Sequence, residues 1–331
     1  MPSLVLATIG ELPARPDEID QDSLLRYINE HTEKVLILDG LQRTYTIIDA
    51  AKELRNKEDM SSYDEFCKQP ILLELYTDIN KFGVLYRMLT LNTGQTPMSA
   101  RHQLEMLYSD LLNTSVDGLT LISDTDGKAD PDDNEFVFQF AIEGFNSYMN
   151  RSVLPIDRQE LLENIKMLEK MAEEDTSTDL FKSFLECYIK ISNSFRAITK
   201  NEVVTDDDLA FYNITGSPFG KKASKIFSSS QALTGFGAAV GKLKDYEVIS
   251  SFSDIERLLP ELEKRNSGKE WMLELLSRLD NIRNSSKKIG TAQRSLFHFF
   301  FRELFNREGD SYLNLSDSVA NGFDKYSIQI N

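Results

Sequence analysis

Along the first third of the chain, short apolar runs alternate with segments whose apolar residues recur every three to four positions. Leu4 to Ile9 is a short apolar run and predicts a strand. Asp20 to Glu30 predicts a helix, with Leu24, Leu25 and Ile28 on one face and Asp20 or Asp22 as its cap. Val35 to Leu38 predicts a short buried strand that runs directly into Asp39-Gly40. From Gln42 to Arg55 the apolar positions Ile47, Ile48, Ala51 and Leu54 recur every three to four residues and predict a helix. Ile71 to Tyr76 predicts a further strand, and Val84 to Leu91 fits a strand or a short helix equally well. Thr93-Gly94-Gln95-Thr96-Pro97 then breaks the chain, before a helix capped by Ser99 that runs to about Leu112.

Residues 113–135 are polar and acidic and predict a solvated connector. An EF-hand calcium loop is excluded there: with Gly127 as its glycine, Ile122 falls on the first ligand position and Asp133 on the last. From Glu135 onward the periodicity is helical, with candidates at 135–149, 157–174, 178–198, 206–212, 228–244, 253–264, 268–283 and 290–306. No repeat of fixed period runs through them. The last is apolar around much of its circumference (Phe297, Phe299, Phe300, Phe301, Leu304, Phe305) and predicts a central core helix, with His298 as a core or boundary histidine. Gly235-Phe236-Gly237-Ala238-Ala239-Val240-Gly241-Lys242 is not a P-loop, because position 236 is Phe and Leu243 follows the lysine. Its small residues suit close helix packing instead. The pattern divides the chain into a mixed α/β domain over 1–115, an acidic connector over 116–134 and a mainly helical domain over 135–331.

Composition adds three constraints. The chain has 331 residues, 41% of them apolar, and no run of about 18 apolar residues to cross a membrane. Its N-terminus lacks the basic segment of a signal peptide. The two cysteines, Cys67 and Cys187, are far apart and form no CxxC pair; they read as reduced, mostly buried thiols and point to the cytoplasm. The net charge is −16, yet Lys264 to Arg307 holds ten Lys/Arg against four acids. Lys221, Lys222, Lys225, Lys242 and Lys244 form a second basic cluster. Contact with DNA would therefore come from the C-terminal half, the alternative being solvated helix faces.

The chemistry of greatest interest lies where the Val35–Leu38 strand meets Asp39-Gly40-Leu41-Gln42-Arg43. A helix that starts directly after a strand leaves its first N–H groups unpaired, and its dipole adds partial positive charge there. Gly40 permits a sharp turn, and Arg43 offers a planar fork for phosphate oxygens. Asp39 is placed to hold a metal ion, a sugar hydroxyl or a water, with Gln42 and Thr44 at the same end. The alternative is structural: Asp39 caps the helix and Arg43 pairs with it. Asn92, Gly94 and Gln95 form a second polar glycine turn ahead of a capped helix, for which a simple capped turn is again the alternative.

Together the two segments resemble the DGQQR domain at the N-terminus of GmrSD-type restriction endonucleases, within the broader ParB/sulfiredoxin-like and DndB-like DGQHR group. The motif strand and turn are matched by Val35–Leu38 and Asp39 to Thr46, the later motif by Leu91 to Ser99 with Gln103-Leu104. Phe136 to Tyr148 with Ile156-Asp157-Arg158 is similar to the region after the connector. The likeness covers roughly the first half of the chain. It departs at Leu41, where the family has Gln, and at Leu12 to Asp20, which lacks the family's Gln-Arg segment. The resemblance implies an α+β protein, with a ParB/sulfiredoxin-like α/β domain followed by a mainly α-helical domain. It also implies nucleotide binding with NTP hydrolysis, in a bacterial or phage defence or DNA-modification system. In that reading Gly40, Arg43, Thr44, Asn92, Gly94 and Gln95 bind the NTP. Asp39, Gln42 and Arg43 are catalytic, and Asp39 carries Mg2+. With only His31, His102 and His298, the chain is not expected to contain the HNH nuclease that the family pairs with this domain; a separate nuclease or defence protein would be its partner. The competing reading is a non-enzymatic regulator or assembly subunit that binds DNA or a protein through its C-terminal helices.

Overall fold

The computed structural model describes residues 3–8, 20–57, 60–77, 79, 83–84, 87, 116, 118–123, 127–154, 177–216 and 219–330. The protein is α+β, with a small sheet at the N-terminus and a helical C-terminal part. It divides into two compact units, residues 1–107 with 158–169 and residues 108–157 with 170–331.

In the first unit, β1 (Leu4–Thr8), α1 (Gln21–Glu30), β2 (Val35–Asp39), α2 (Leu41–Asn56), α3 (Met60–Cys67) and β3 (Leu73–Tyr76) follow one another. The sheet order is β2-β1-β3, with β1 antiparallel to β2 and parallel to β3. Leu6 lies opposite Ile37 and Val5 opposite Asp39, with an irregularity between Val5 and Leu6. The small core is Val5, Ala7, Leu38 and Val84, backed by Tyr76 and Ile79. Asp20 caps α1 by accepting from the Ser23 N–H at 2.9 Å, as its sequence position predicts.

The helices of this unit bury little, and one expectation, the burial of Cys67, needs correction. The stripe on α2 is not a buried face: none of its residues is buried, Ile48 is exposed, and Ile47, Ala51 and Leu54 are only half-buried. Four- and five-residue strands offer too little described surface to cover a 16-residue helix. Cys67 is exposed, because it ends the short α3, which buries nothing. Cys187 is buried as expected, and burial pushes its thiol pKa up.

In the second unit, β4 (Thr120–Ile122) pairs in parallel with β5 (Glu135–Val137). Ten helices follow among the described residues: α4 (Phe138–Asn150), α5 (Ser177–Ile198), α6 (Asp206–Phe211), α7 (Ala223–Phe227), α8 (Ser230–Asp245), α9 (Phe252–Glu256), α10 (Leu259–Arg265), α11 (Glu270–Ser285), α12 (Ile289–Phe305) and α13 (Leu315–Ile330). The glycine-rich stretch sits in the middle of α8 and packs it closely on two sides. A Cβ on Gly237 would fall 2.0 Å from the Gly144 carbonyl oxygen of α4, and one on Gly235 would fall 2.4 Å from the Phe297 Cβ of α12. Gly241, one turn after Gly237, repeats the contact with α4 at the Tyr148 carbonyl. Around this contact lie Phe145, Phe184, Tyr188, Phe236 and Phe301, all fully buried and mostly edge-on or tilted to one another.

Two acids of the stretch before α4 are tied to the helices by ion pairs, while Lys128, Asp130 and Asp133 are exposed. Asp132 accepts from Lys222 Nζ at 2.7 Å and Ser224 Oγ at 2.6 Å, and Asp130 accepts from Lys225 Nζ at 3.0 Å. Arg196 donates to the Asp132 carbonyl and to Asn134 Oδ1. These lysines hold both carboxyls below the ordinary aspartate range. Pro131 is buried within the turn. Asp132 and Asp130 are thus the mates of Lys222 and Lys225 of the second basic cluster, 90 and 95 residues away in sequence. Two helix boundaries also differ from expectation. The segment at 135–149 opens as β5 before α4, and 253–264 is two helices that meet where Pro260 starts α10. The expected helices at 99–112 and 157–174 lie outside the described residues.

Candidate functional site

The strand–turn–helix unit forms where it was expected. β2 ends at Asp39, Gly40 turns with φ of 95°, and α2 begins at Leu41. That φ is left-handed, which glycine adopts without strain. No side chain caps the helix; the first amide to pair backwards is Thr44 N–H, which donates to the Gly40 carbonyl at 2.8 Å. The N–H groups of Leu41, Gln42 and Arg43 therefore open the helix without helical acceptors.

The side chains around the turn are already engaged with one another. Arg43 Nη2 donates to Asp39 Oδ2 at 2.6 Å, one helical turn apart, and both side chains are one-fifth exposed. Arg43 thus pairs with Asp39 as the structural alternative proposed, while Asp39 does not cap α2. The space that Gly40 leaves is filled from inside: a Cβ there would fall 2.5 Å from Leu4 Cδ2 and 3.2 Å from Arg43 Nη2. Thr44 Oγ1 donates to the Gly40 carbonyl at 3.0 Å, and Gln42 is exposed. One donor is left over. Arg43 Nε is buried and has no hydrogen-bond partner among the described residues. Asn92, Gly94 and Gln95 lie outside the described residues. Among the described residues, no group of three or more His, Cys, Asp or Glu is placed to hold a metal ion, and no helix is long and apolar enough to cross a membrane.

Among the basic residues of the C-terminal half, two sets stand out. Most are consumed by partners within the unit: Lys221 by Asp206, Lys222 by Asp132, Lys225 by Asp130, Arg265 by Glu261, Lys269 by Asp208, Arg283 by Asp280 and Arg294 by Glu143. Arg278 lies over the Phe323 ring. Lys242, Lys287, Lys288 and Arg302 form no ion pair among the described residues, and these four line one cleft of about 960 Å³. The same cleft is lined by His298, which is 5% exposed and whose Nδ1 is buried without a partner among the described residues. Sequence reasoning counted the four cations but set His298 aside as a core or boundary residue. The available signal was a polar stripe, Thr291, Ser295, His298 and Arg302, spaced four, three and four residues apart on a helix otherwise rich in Phe.

Compared with protein-family models, with curated proteins and with solved structures, the chain matches none of them.

Proposed function

We propose that the protein binds a nucleoside triphosphate, with its phosphates at the start of α2. The observation that carries this reading is the uncapped helix start beside Arg43, whose Nε is a buried donor without an acceptor. An unpaired buried donor costs about 1–3 kcal/mol, a cost that a bound anion would offset. A phosphate oxygen would take the N–H groups of residues 41–43 and compete with Asp39 for the guanidinium. The resemblance to DGQQR domains points the same way and places the protein in a bacterial or phage defence or DNA-modification system. Hydrolysis, Mg2+ on Asp39, orientation of water by Gln42 and closure of the pocket by Asn92, Gly94 and Gln95 rest on that resemblance. A separate nuclease or defence protein as partner rests on it as well.

Titration of ATP and GTP, with and without Mg2+, against the parent, Arg43→Ala and Asp39→Ala tests the proposal. Binding raises the melting temperature of the parent. Arg43→Ala is expected to lose at least tenfold in affinity at this site and to change stability little, because a partly exposed ion pair is worth about 0–1 kcal/mol. Asp39→Ala should bind as tightly as the parent or more tightly, since it frees the guanidinium and removes a negative charge, and should release no phosphate. Unchanged affinity in Arg43→Ala would make the Asp39–Arg43 pair a structural clasp and nothing more.

A further inference from the structure

Lys242, Lys287, Lys288 and Arg302 reach the cleft from three places: α8, the segment before α12, and α12 itself. Arg151, at the C-terminus of α4, also lines it, but its guanidinium is committed to Asp245 at 2.9 Å. No carboxylate is among the described residues that line the cleft. In a chain of net charge −16, a concave surface with several cations and no acid is not the expected outcome of chance packing.

The arrangement is electrostatically unrelieved as it stands. Burial and the charge of Arg302 lower the pKa of Lys242, burial being the larger cause. Burial, then Lys242 and Arg302, hold the His298 imidazole neutral, with its pKa lowered to about 3. The Nδ1 of that imidazole has no partner among the described residues. A third feature has the same sign. The N-terminus of the 17-residue α12 has no side-chain cap, and its first amide to pair backwards is Ala292 N–H, which donates to the Lys288 carbonyl at 3.0 Å. Lys288, Thr291 and Ala292, which belong to that start, line the cleft. A bound anion would satisfy the open amides and relieve the repulsion between these two half-buried cations.

The remaining lining sets the size and character of the ligand. A volume of about 960 Å³ is at the upper end of small-molecule pockets, which run to about 1,000 Å³. Phe299, Phe323 and Tyr326 supply aromatic surface, and Ser295 and Ser286 supply hydroxyls. From these observations we propose that the cleft binds a phosphorylated small molecule of nucleotide size. Lys242, Arg302 and the α12 N-terminus hold its phosphates, and the aromatic rings cover its less polar part. This site is in the helical unit and does not depend on the reading of Arg43.

The test uses the full chain, with pyrophosphate and ATP as probes in calorimetry and with imidazole 15N resonances as a local readout. The expected result is that either probe shifts the His298 resonances, and that Lys242→Gln with Arg302→Gln weakens that binding at least tenfold. Arg43→Ala should leave it unchanged. Because the double variant removes two mutually repelling charges, its melting temperature should equal or exceed that of the parent. If it fails to fold, Lys287→Ala with Lys288→Ala replaces it, since both lysines are exposed and weaken binding through charge alone. An unmoved His298 in the presence of both probes would overturn the proposal, as would cleft variants that bind as the parent does. Binding of single-stranded oligonucleotides with none of pyrophosphate or ATP would also overturn it, and would make the cleft a nucleic-acid surface.

Discussion

At the residue scale, glycine and arginine decide the two most informative places in the chain. Gly40 and Gly237 are both indispensable, for different reasons. Gly40 adopts a φ of 95° that disfavours any side chain, and its Cβ would meet the flexible end of Leu4. Gly237 has ordinary helical geometry, but its Cβ would meet a backbone oxygen at 2.0 Å, which cannot move aside without shifting α4 from α8. Gly237→Ala is therefore expected to destabilise the helical unit by on the order of 1–3 kcal/mol or more, seen as a fall in melting temperature. A variant that melts with the parent would mean that α4 and α8 are not in backbone contact. Arg43 shows the limit of reading a residue by type. Its position at the helix start, and a pairing with Asp39 as the structural alternative, were legible in Asp39-Gly40-Leu41-Gln42-Arg43; that Asp39 pairs without capping α2 depends on how the turn aims its side chain.

At the scale of elements, short helices here are held by caps that also join them to neighbours. Thr205 and Asp208 form a reciprocal capping box on α6, and the Asp208 carboxylate also accepts from Lys269 Nζ at 2.6 Å, just before α11. Lys269, with the Thr205 N–H and hydroxyl, depresses the Asp208 pKa to about 2. In the unfolded chain an aspartate titrates near 3.9. A depressed acid contributes stability that is complete above its unfolded value and lost as pH falls from about 4 to about 2. Asp208→Asn should accordingly melt below the parent at neutral pH, and the two curves should converge near pH 2. Melting curves that stay parallel across that range would show that Asp208 stabilises nothing. The periodicity revealed β1, β2, α1, α2, α5, α8, α11 and α12 because each carries its own apolar pattern. It did not reveal α3, α7 or α13. The first two are short, and the apolar pattern of α13 is interrupted by Asn321-Gly322, although the helix runs through them and Gly322 brings it close to the Phe300 backbone. The ion pairs of the acidic stretch were not legible for a related reason. Its partners Lys222 and Lys225 are remote in sequence, and a charge count cannot show which opposite charges will meet.

At the scale of the molecule, charge is the organising quantity. The chain is strongly acidic, and most of the basic residues in its C-terminal half are spent on internal partners, so the bulk field repels polyanions. What stands out is local: an open helix start beside a half-buried arginine in one unit, and a cationic cleft in the other. This distribution favours compact phosphorylated ligands over a long nucleic-acid backbone, which would need a continuous cationic track. The most direct test of nucleotide binding at α2 is the number of ATP molecules bound per chain, measured by equilibrium dialysis in the parent, in Arg43→Ala, and in Lys242→Gln with Arg302→Gln. The account predicts two classes of site in the parent. One is lost in Arg43→Ala and the other in the cleft variant. A parent and an Arg43→Ala protein that bind the same number of ATP molecules with the same affinities would contradict it.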